Sequence, residues 1–108
     1  DQMTDVKTAV SEAVTNAIIH GYDGKGGKIL MTCQQKGQDL TVAVQDKGKG
    51  IADIKKARQP FYTSRPELER SGMGFAFMEA FMDDVEVISE VDVGTTIIMR
   101  KKIGAQDT

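Results

Sequence analysis

Residues 29–46, ILMTCQQKGQDLTVAVQD, constrain the fold more than any other stretch of the chain. Two strand-like runs flank Lys36-Gly37-Gln38-Asp39, whose glycine and polar neighbours suit a tight reversal. The spacing predicts one strand near 28–35 and a second, LTVAVQD, returning antiparallel to it. In the second strand a period of two puts Leu40, Val42, Val44 and Asp46 on one face. A lone hairpin with one apolar face is marginal in water, so further strands and a covering layer must follow.

The covering layer is written in the first 20 residues. Thr4 suits an N-cap, and a helix running from it to about His20 would stop at Gly21. At 100° per residue, Val6, Ala9, Val10, Ala13, Val14 and Ala17 form one stripe that must face a core. The glycine-rich stretch GYDGKGGK (21–28) then reads as a connector. From 47 to 73 the chain is rich in turn signals and poor in periodicity, which marks a functional or disordered loop. A helix over Phe75–Met82, a strand near 85–91, a turn at Asp92–Gly94 and a last strand TTIIMRK complete the pattern, with GAQDT as a frayed tail. The apolar face of FAFMEAFM runs nearly all round its helix and is expected to be core. This order predicts an α+β fold: a mixed, mostly antiparallel sheet with helices on one face, in one domain over residues 1–108.

Composition narrows the functional classes. With 40% hydrophobic and 28% charged residues, the chain has the balance of an ordinary globular domain. Its 14 Lys and Arg against 16 Asp and Glu give a net charge of −2, so no basic field points to nucleic acid or to an anionic membrane. No apolar run approaches the roughly 20 residues of a membrane span, and the start lacks a basic-then-apolar leader, so the expected location is cytoplasmic. The single Cys33 has no internal partner for a disulfide and reads as a small strand side chain.

Four clusters could carry chemistry. Glu12, Asn16 and His20 advance only about 40° at each step around the first helix, forming a polar row that borders the buried stripe beside small alanines. Asp46-Lys47-Gly48-Lys49-Gly50 ends an apolar strand face with a carboxylate and two glycines that permit close backbone approach. Gly72 and Gly74 open onto a helix N-terminus, where backbone N–H groups suit phosphate, with Arg65, Arg70 and Ser71 alongside. Gly94-Thr95-Thr96 enters the last strand. Taken singly, each has a plainer reading: a solvated helix face, an ordinary turn, a helix cap, and a turn into a β-branched strand. None is decisive alone, but together they could supply a divalent-metal ligand, a base, an acceptor for a purine amino group and a phosphate cradle.

In order and spacing these clusters resemble the GHKL ATPases of the Bergerat fold. SEAVTNAIIHG is similar to the N box, DKGKG to the first glycine box, GMGF to the second and GTT to the third. Within that superfamily, SEAVTNAIIHGY, ARQPFYTSRPELERSGMGF and FMDDVEV resemble the anti-sigma factor serine kinases, in particular the sporulation anti-sigma F branch. The resemblance implies a two-layer sandwich that binds ATP or ADP with Mg²⁺. In it Asn16 would be the metal ligand and Glu12 the base acting on a serine hydroxyl, with Asp46 accepting from the adenine amino group. Gly48, Gly50 and Thr95 would stand near the base, while Ser71, Gly72, Met73, Gly74 and Phe75 would line the phosphates and Arg70 would reach the γ-phosphate. Residues 51–71 would form the ATP lid. The implied partners are a sigma factor of the sigma-F type, an anti-anti-sigma protein as substrate, and a second copy of the chain in a homodimer. Such proteins carry a further strand and helix ahead of the position of Asp1, so the sequence is expected to lack that N-terminal part.

Overall fold

The structure, a computed structural model, describes residues 2–59 and 74–104. Helix α1 spans Gln2–Asn16 and continues into a widened turn of π-helix, Ala17–Gly21. Strands β1 (Ile29–Lys36) and β2 (Asp39–Asp46) follow, then the short helix α2 (Ile54–Ala57), helix α3 (Gly74–Phe81), and strands β3 (Asp84–Glu90) and β4 (Gly94–Lys102). The four strands form one sheet in the order β1-β2-β4-β3, and every pairing among the described residues is antiparallel.

The hairpin expected from residues 29–46 forms with Lys36 opposite Asp39 and Gly37 in the turn at φ 60°. In β2 the buried positions alternate as the period of two requires: Leu40, Val42, Val44 and Asp46 point inward. The register carries that face across the sheet. Val42, Met99 and Val85 form one row, Val44, Ile97 and Val87 the next, and Asp46, Thr95 and Ser89 the third. The first two rows are apolar and the third is polar, so the core stops at Asp46.

Over this face lie α1 and α3, which pack on each other. The α1 stripe is buried as its spacing demands: Val6, Ala9, Ala13 and Ala17 are inaccessible and Val10 and Val14 half-buried against the core. From α3 and the turn after it, Phe75, Met78 and Met82 enter the same cluster and Phe81 packs against it, while Ala76 and Phe77 are half-buried and Glu79 and Ala80 exposed, so one face of FAFMEAFM is core rather than nearly all of it. Fully buried Met78, Met99 and Val44 each contribute on the order of 1.5–3 kcal/mol of apolar burial. At the sheet edge the inward positions Met31 and Cys33 of β1 are exposed, because the helices cover β2, β4 and β3 instead.

One sequence expectation fails. Thr4 is not an N-cap but a residue inside α1, and its carbonyl accepts from the Thr8 hydroxyl at 3.0 Å. The first described turn of the helix is tied to the end of the sheet: Gln2 donates to the Lys102 carbonyl at 3.3 Å and accepts from the Gly104 N–H at 2.8 Å. Gly21 does end the helical run, with the Tyr22 N–H closing on Ala17 O at 3.1 Å.

Candidate functional site

Asp46 is 5% exposed although it is a carboxylate, and three elements converge on it. Strand β2 delivers it inward at the end of the apolar face, and β4 places Thr95 opposite it, also 5% exposed. The following loop turns back so that the Gly48 N–H donates to Asp46 Oδ1 at 2.9 Å. Burial raises the Asp46 carboxyl above its ordinary value, an effect that the backbone N–H groups of Gly48 and Thr95 oppose. A buried anionic acceptor fixed by two backbone donors is costly to build, and its remaining lone pairs are set to receive an N–H donor.

The third element is the end of the π-turn. Gly21 lies against the carboxylate so closely that a Cβ there would stand 2.9 Å from Asp46 Cγ. Gly48 in turn sits on the Gly21 backbone, where an added Cβ would come within 2.7 Å of Gly21 Cα and nearer still to its carbonyl. Lys49 N donates to that same Gly21 carbonyl at 3.0 Å. The close approach of two backbones is the physical reason for glycine at both positions. Gly50, the next glycine, packs against the Glu90–Val91 backbone at the β3–β4 turn.

Tyr22 pins the adjoining loop: its phenol accepts from Lys47 N at 2.7 Å and donates to the Lys28 carbonyl at 2.5 Å. Lys49 pairs with Asp23 at 2.9 Å across the same junction. On the other side of Thr95, Ser89 Oγ lies 2.7 Å from Thr95 Oγ1 and accepts from the Ile51 N–H at 2.7 Å.

The structure therefore brings Asp46, Gly48 and Thr95 together. Glu12 and Asn16 occupy the last turns of α1, half-buried, on the helix whose end reaches Asp46, and His20 lies half-buried in the π-turn. Gly74 and Phe75 form the first, buried residues of α3 rather than a segment leading up to it. Arg70, Ser71, Gly72 and Met73 lie outside the described residues, as does the part of the expected lid beyond Gln59. The start of that lid forms helix α2, capped by Asp53, which accepts from the Lys56 N–H at 3.0 Å. Arg58 ties its end to α3 and β3: it bonds Glu79 at 2.6 and 3.0 Å and the Val85 carbonyl at 3.0 Å, and lies 5.8 Å from the Phe75 ring centroid.

Sequence reasoning missed Gly21, Tyr22, Ser89 and Arg58. For Ser89 the signal was present, since Val85, Val87 and Ser89 share one strand face and the last interrupts an apolar pattern. Gly21 was read as a helix stop, and nothing local announces its contact with Asp46.

Comparison with known proteins agrees with this architecture. The profile of the family described as "Histidine kinase-like ATPase domain" matches residues 1–101. Anti-sigma F factors from Clostridium acetobutylicum and Clostridium perfringens are 58% and 56% identical over 102 and 104 residues, which are 94% and 95% of this chain and 71% and 74% of theirs. Among solved structures, the histidine kinase domain of the Erythrobacter litoralis blue-light activated histidine kinase superposes with a TM-score of 0.67 at 20% identity, covering 97% of this chain and 46% of that one. Full-length ShkA in complex with AMPPNP gives 0.71 at 20% identity, covering 94% and 22%. These structures share the fold, and no helix among the described residues is long and apolar enough to cross a membrane. The chain belongs to the histidine kinase-like (GHKL) ATPase domains and, within them, to the anti-sigma F factor family.

Proposed function

We propose that the chain binds Mg-ATP with its adenine at Asp46, transfers the γ-phosphoryl group to a serine of an anti-anti-sigma protein, and holds a sigma factor of the sigma-F type. The observation that carries this reading is the buried Asp46 carboxylate, held by Gly48 and Thr95 N–H groups against Gly21. Its free lone pairs match the N–H donors of an adenine amino group, and the relatives that share the chain's sequence are named anti-sigma F factors.

The donor set also fits a nucleotide-borne cation. Asn16 offers one hard carbonyl oxygen, and Mg²⁺ is commonly held by few protein oxygens together with phosphates. The bound cation would offset the charge that spreads over the transferring phosphoryl group. Glu12, one helical turn before Asn16, takes the proton of the substrate serine hydroxyl. The serine oxygen bonds to the γ-phosphorus as the bond from that phosphorus to the β–γ bridging oxygen breaks, and ADP leaves. By the resemblance, the Gly74 N–H at the start of α3 would face phosphate, Ser71, Gly72, Met73 and Phe75 would line it, and Arg70 would meet the γ-phosphate. Gly48 and Gly50 shape the loop beside the base. A homodimer in the cytoplasm completes the reading, with different partner affinities in the ATP and ADP states as a switch requires.

The test is incubation with labelled ATP, Mg²⁺ and a candidate anti-anti-sigma protein, followed by mapping of the modified residue. Phosphoserine on the partner supports the reading, and phosphohistidine would redirect it to a sensor-kinase activity. Glu12→Gln should still bind nucleotide but lose transfer; transfer at the full rate would remove Glu12 as the base. Nucleotide binding with no transfer by the unmodified chain would leave a sequestering module only.

A further inference from the structure

Tyr22 is a side chain whose position the nucleotide reading does not use. It follows the π-turn directly, and its hydroxyl reaches the open end of the β1–β2 hairpin. The register pairs Ile29 with Asp46, so the next rung outward would join Lys28 to Lys47. Both strands stop short of that rung, and the Tyr22 hydroxyl bridges it instead, accepting from the Lys47 N–H at 2.7 Å and donating to the Lys28 carbonyl at 2.5 Å. The direction of both bonds is fixed, because a backbone N–H can only donate and a carbonyl can only accept. Room for the ring comes from Gly27, where an added Cβ would stand 2.5 Å from Tyr22 Cε1.

The bridged N–H belongs to the peptide that joins Asp46 to Lys47. A peptide is planar, so holding that N–H in place restricts rotation about the Asp46 Cα–C bond. The same peptide lies against Gly94 of β4, where an added Cβ would stand 2.9 Å from Lys47 Cα and nearer still to Asp46 O. One peptide further on, the Gly48 N–H donates to Asp46 Oδ1 at 2.9 Å. The backbone that aims the carboxylate is therefore held from the end of α1. Both Tyr22 bonds lie at the surface, so water can replace them when the hydroxyl is removed. Its removal then costs little folding stability, but it frees the Asp46–Lys47 peptide to turn and to carry the Gly48 N–H away from Asp46.

We infer that Tyr22 is a positioning residue for the nucleotide site: its hydroxyl, standing in for the last β1–β2 rung, fixes the Asp46–Lys47 peptide and with it the aim of the Asp46 carboxylate. This rests on the proposed adenine site.

The experiment is calorimetric titration of Mg-ADP into the unmodified chain, Tyr22→Phe, Asp46→Ala and the double variant, with melting of each ligand-free protein alongside. Tyr22→Phe, which removes only the hydroxyl, should bind ADP at least about fivefold more weakly, the scale of one neutral hydrogen bond, while its melting temperature moves by only a few degrees. In the Asp46→Ala background no carboxylate remains to be aimed, so the same substitution should change ADP affinity by less than about twofold. A purely structural role would lower the melting temperature and either leave ADP affinity unchanged or weaken it equally in both backgrounds. Either of those results, with ADP bound by the unmodified chain and weakened in Asp46→Ala, overturns the Tyr22 assignment alone. Failure of the unmodified chain to bind ADP, or equal affinity in Asp46→Ala, overturns this assignment and the adenine site together.

Discussion

Gly48→Ala probes the tightest point of the site. The added methyl would come within 2.7 Å of Gly21 Cα and closer to the Gly21 carbonyl, whereas carbon atoms in contact prefer about 3.5–4.0 Å. The opposing atoms are all backbone, so relief requires the loop and the π-turn to separate by about 1 Å. That movement lengthens the bond from Gly48 N to Asp46 Oδ1, now 2.9 Å, past the distance at which it contributes. Overpacking of this kind costs about 1–3 kcal/mol, and a hydrogen bond to a charged group contributes about 1.5–3 kcal/mol. Both describe one displacement and are not summed, so the expected destabilisation is about 1.5–3 kcal/mol, or a fall in melting temperature on the order of 10 °C for a domain of this size. Calorimetric titration with ADP should show at least a tenfold loss of affinity as Asp46 loses its anchor. Gly37→Ala is the control: Gly37 lies at φ 60° in the β1–β2 turn with nothing within 4 Å of an added Cβ. It should cost only about 1–2 kcal/mol of backbone strain and leave ADP affinity intact. Gly48→Ala binding ADP as tightly as the unmodified chain would refute the idea that this close approach positions Asp46.

Three further outcomes follow from the same geometry. Met99→Ala, at the fully buried centre of the sheet, should destabilise by about 2–5 kcal/mol in a denaturant titration while the folded chain keeps its ADP affinity. Arg58→Ala should cost about 1–2 kcal/mol, since its bonds to Glu79 and Val85 O are only partly shielded, and Arg58→Lys should recover little because it lacks the planar fork. The raised Asp46 carboxyl makes stability and binding respond oppositely to pH. The folded chain holds that proton more tightly than the unfolded one, so the Asp46 contribution to stability is most favourable below its unfolded value and declines as pH rises through the folded value. ADP affinity falls over the same interval as pH is lowered, because a protonated carboxyl loses acceptor capacity. Paired melting and titration from pH 7 to pH 4 read both trends, and Asp46→Asn should lack both.

Much of this was legible in the chain because the signals are local. A period of two in LTVAVQD placed Asp46 inward, and a period near 3.6 in α1 placed Val6, Ala9, Ala13 and Ala17 in the core. What escaped depends on contacts distant in sequence. Gly21 serves the site through a carboxylate 25 positions away, and a glycine after a helix looks the same whether or not anything presses on it. Ser89 acquires meaning only once β3 and β4 are in register, and Arg58 only once α2 lies beside α3. Thr4, a residue type that favours caps, stands inside α1, where its carbonyl accepts from the Thr8 hydroxyl.

Whether Asp46 reads adenine is decided by calorimetric titration of Mg-ADP into the unmodified chain and Asp46→Asn at neutral pH. The unmodified chain should bind saturably, and Asp46→Asn should bind at least about tenfold more weakly, the scale of one charged hydrogen bond. Equal affinity in the two proteins would mean that Asp46 does not hold the adenine.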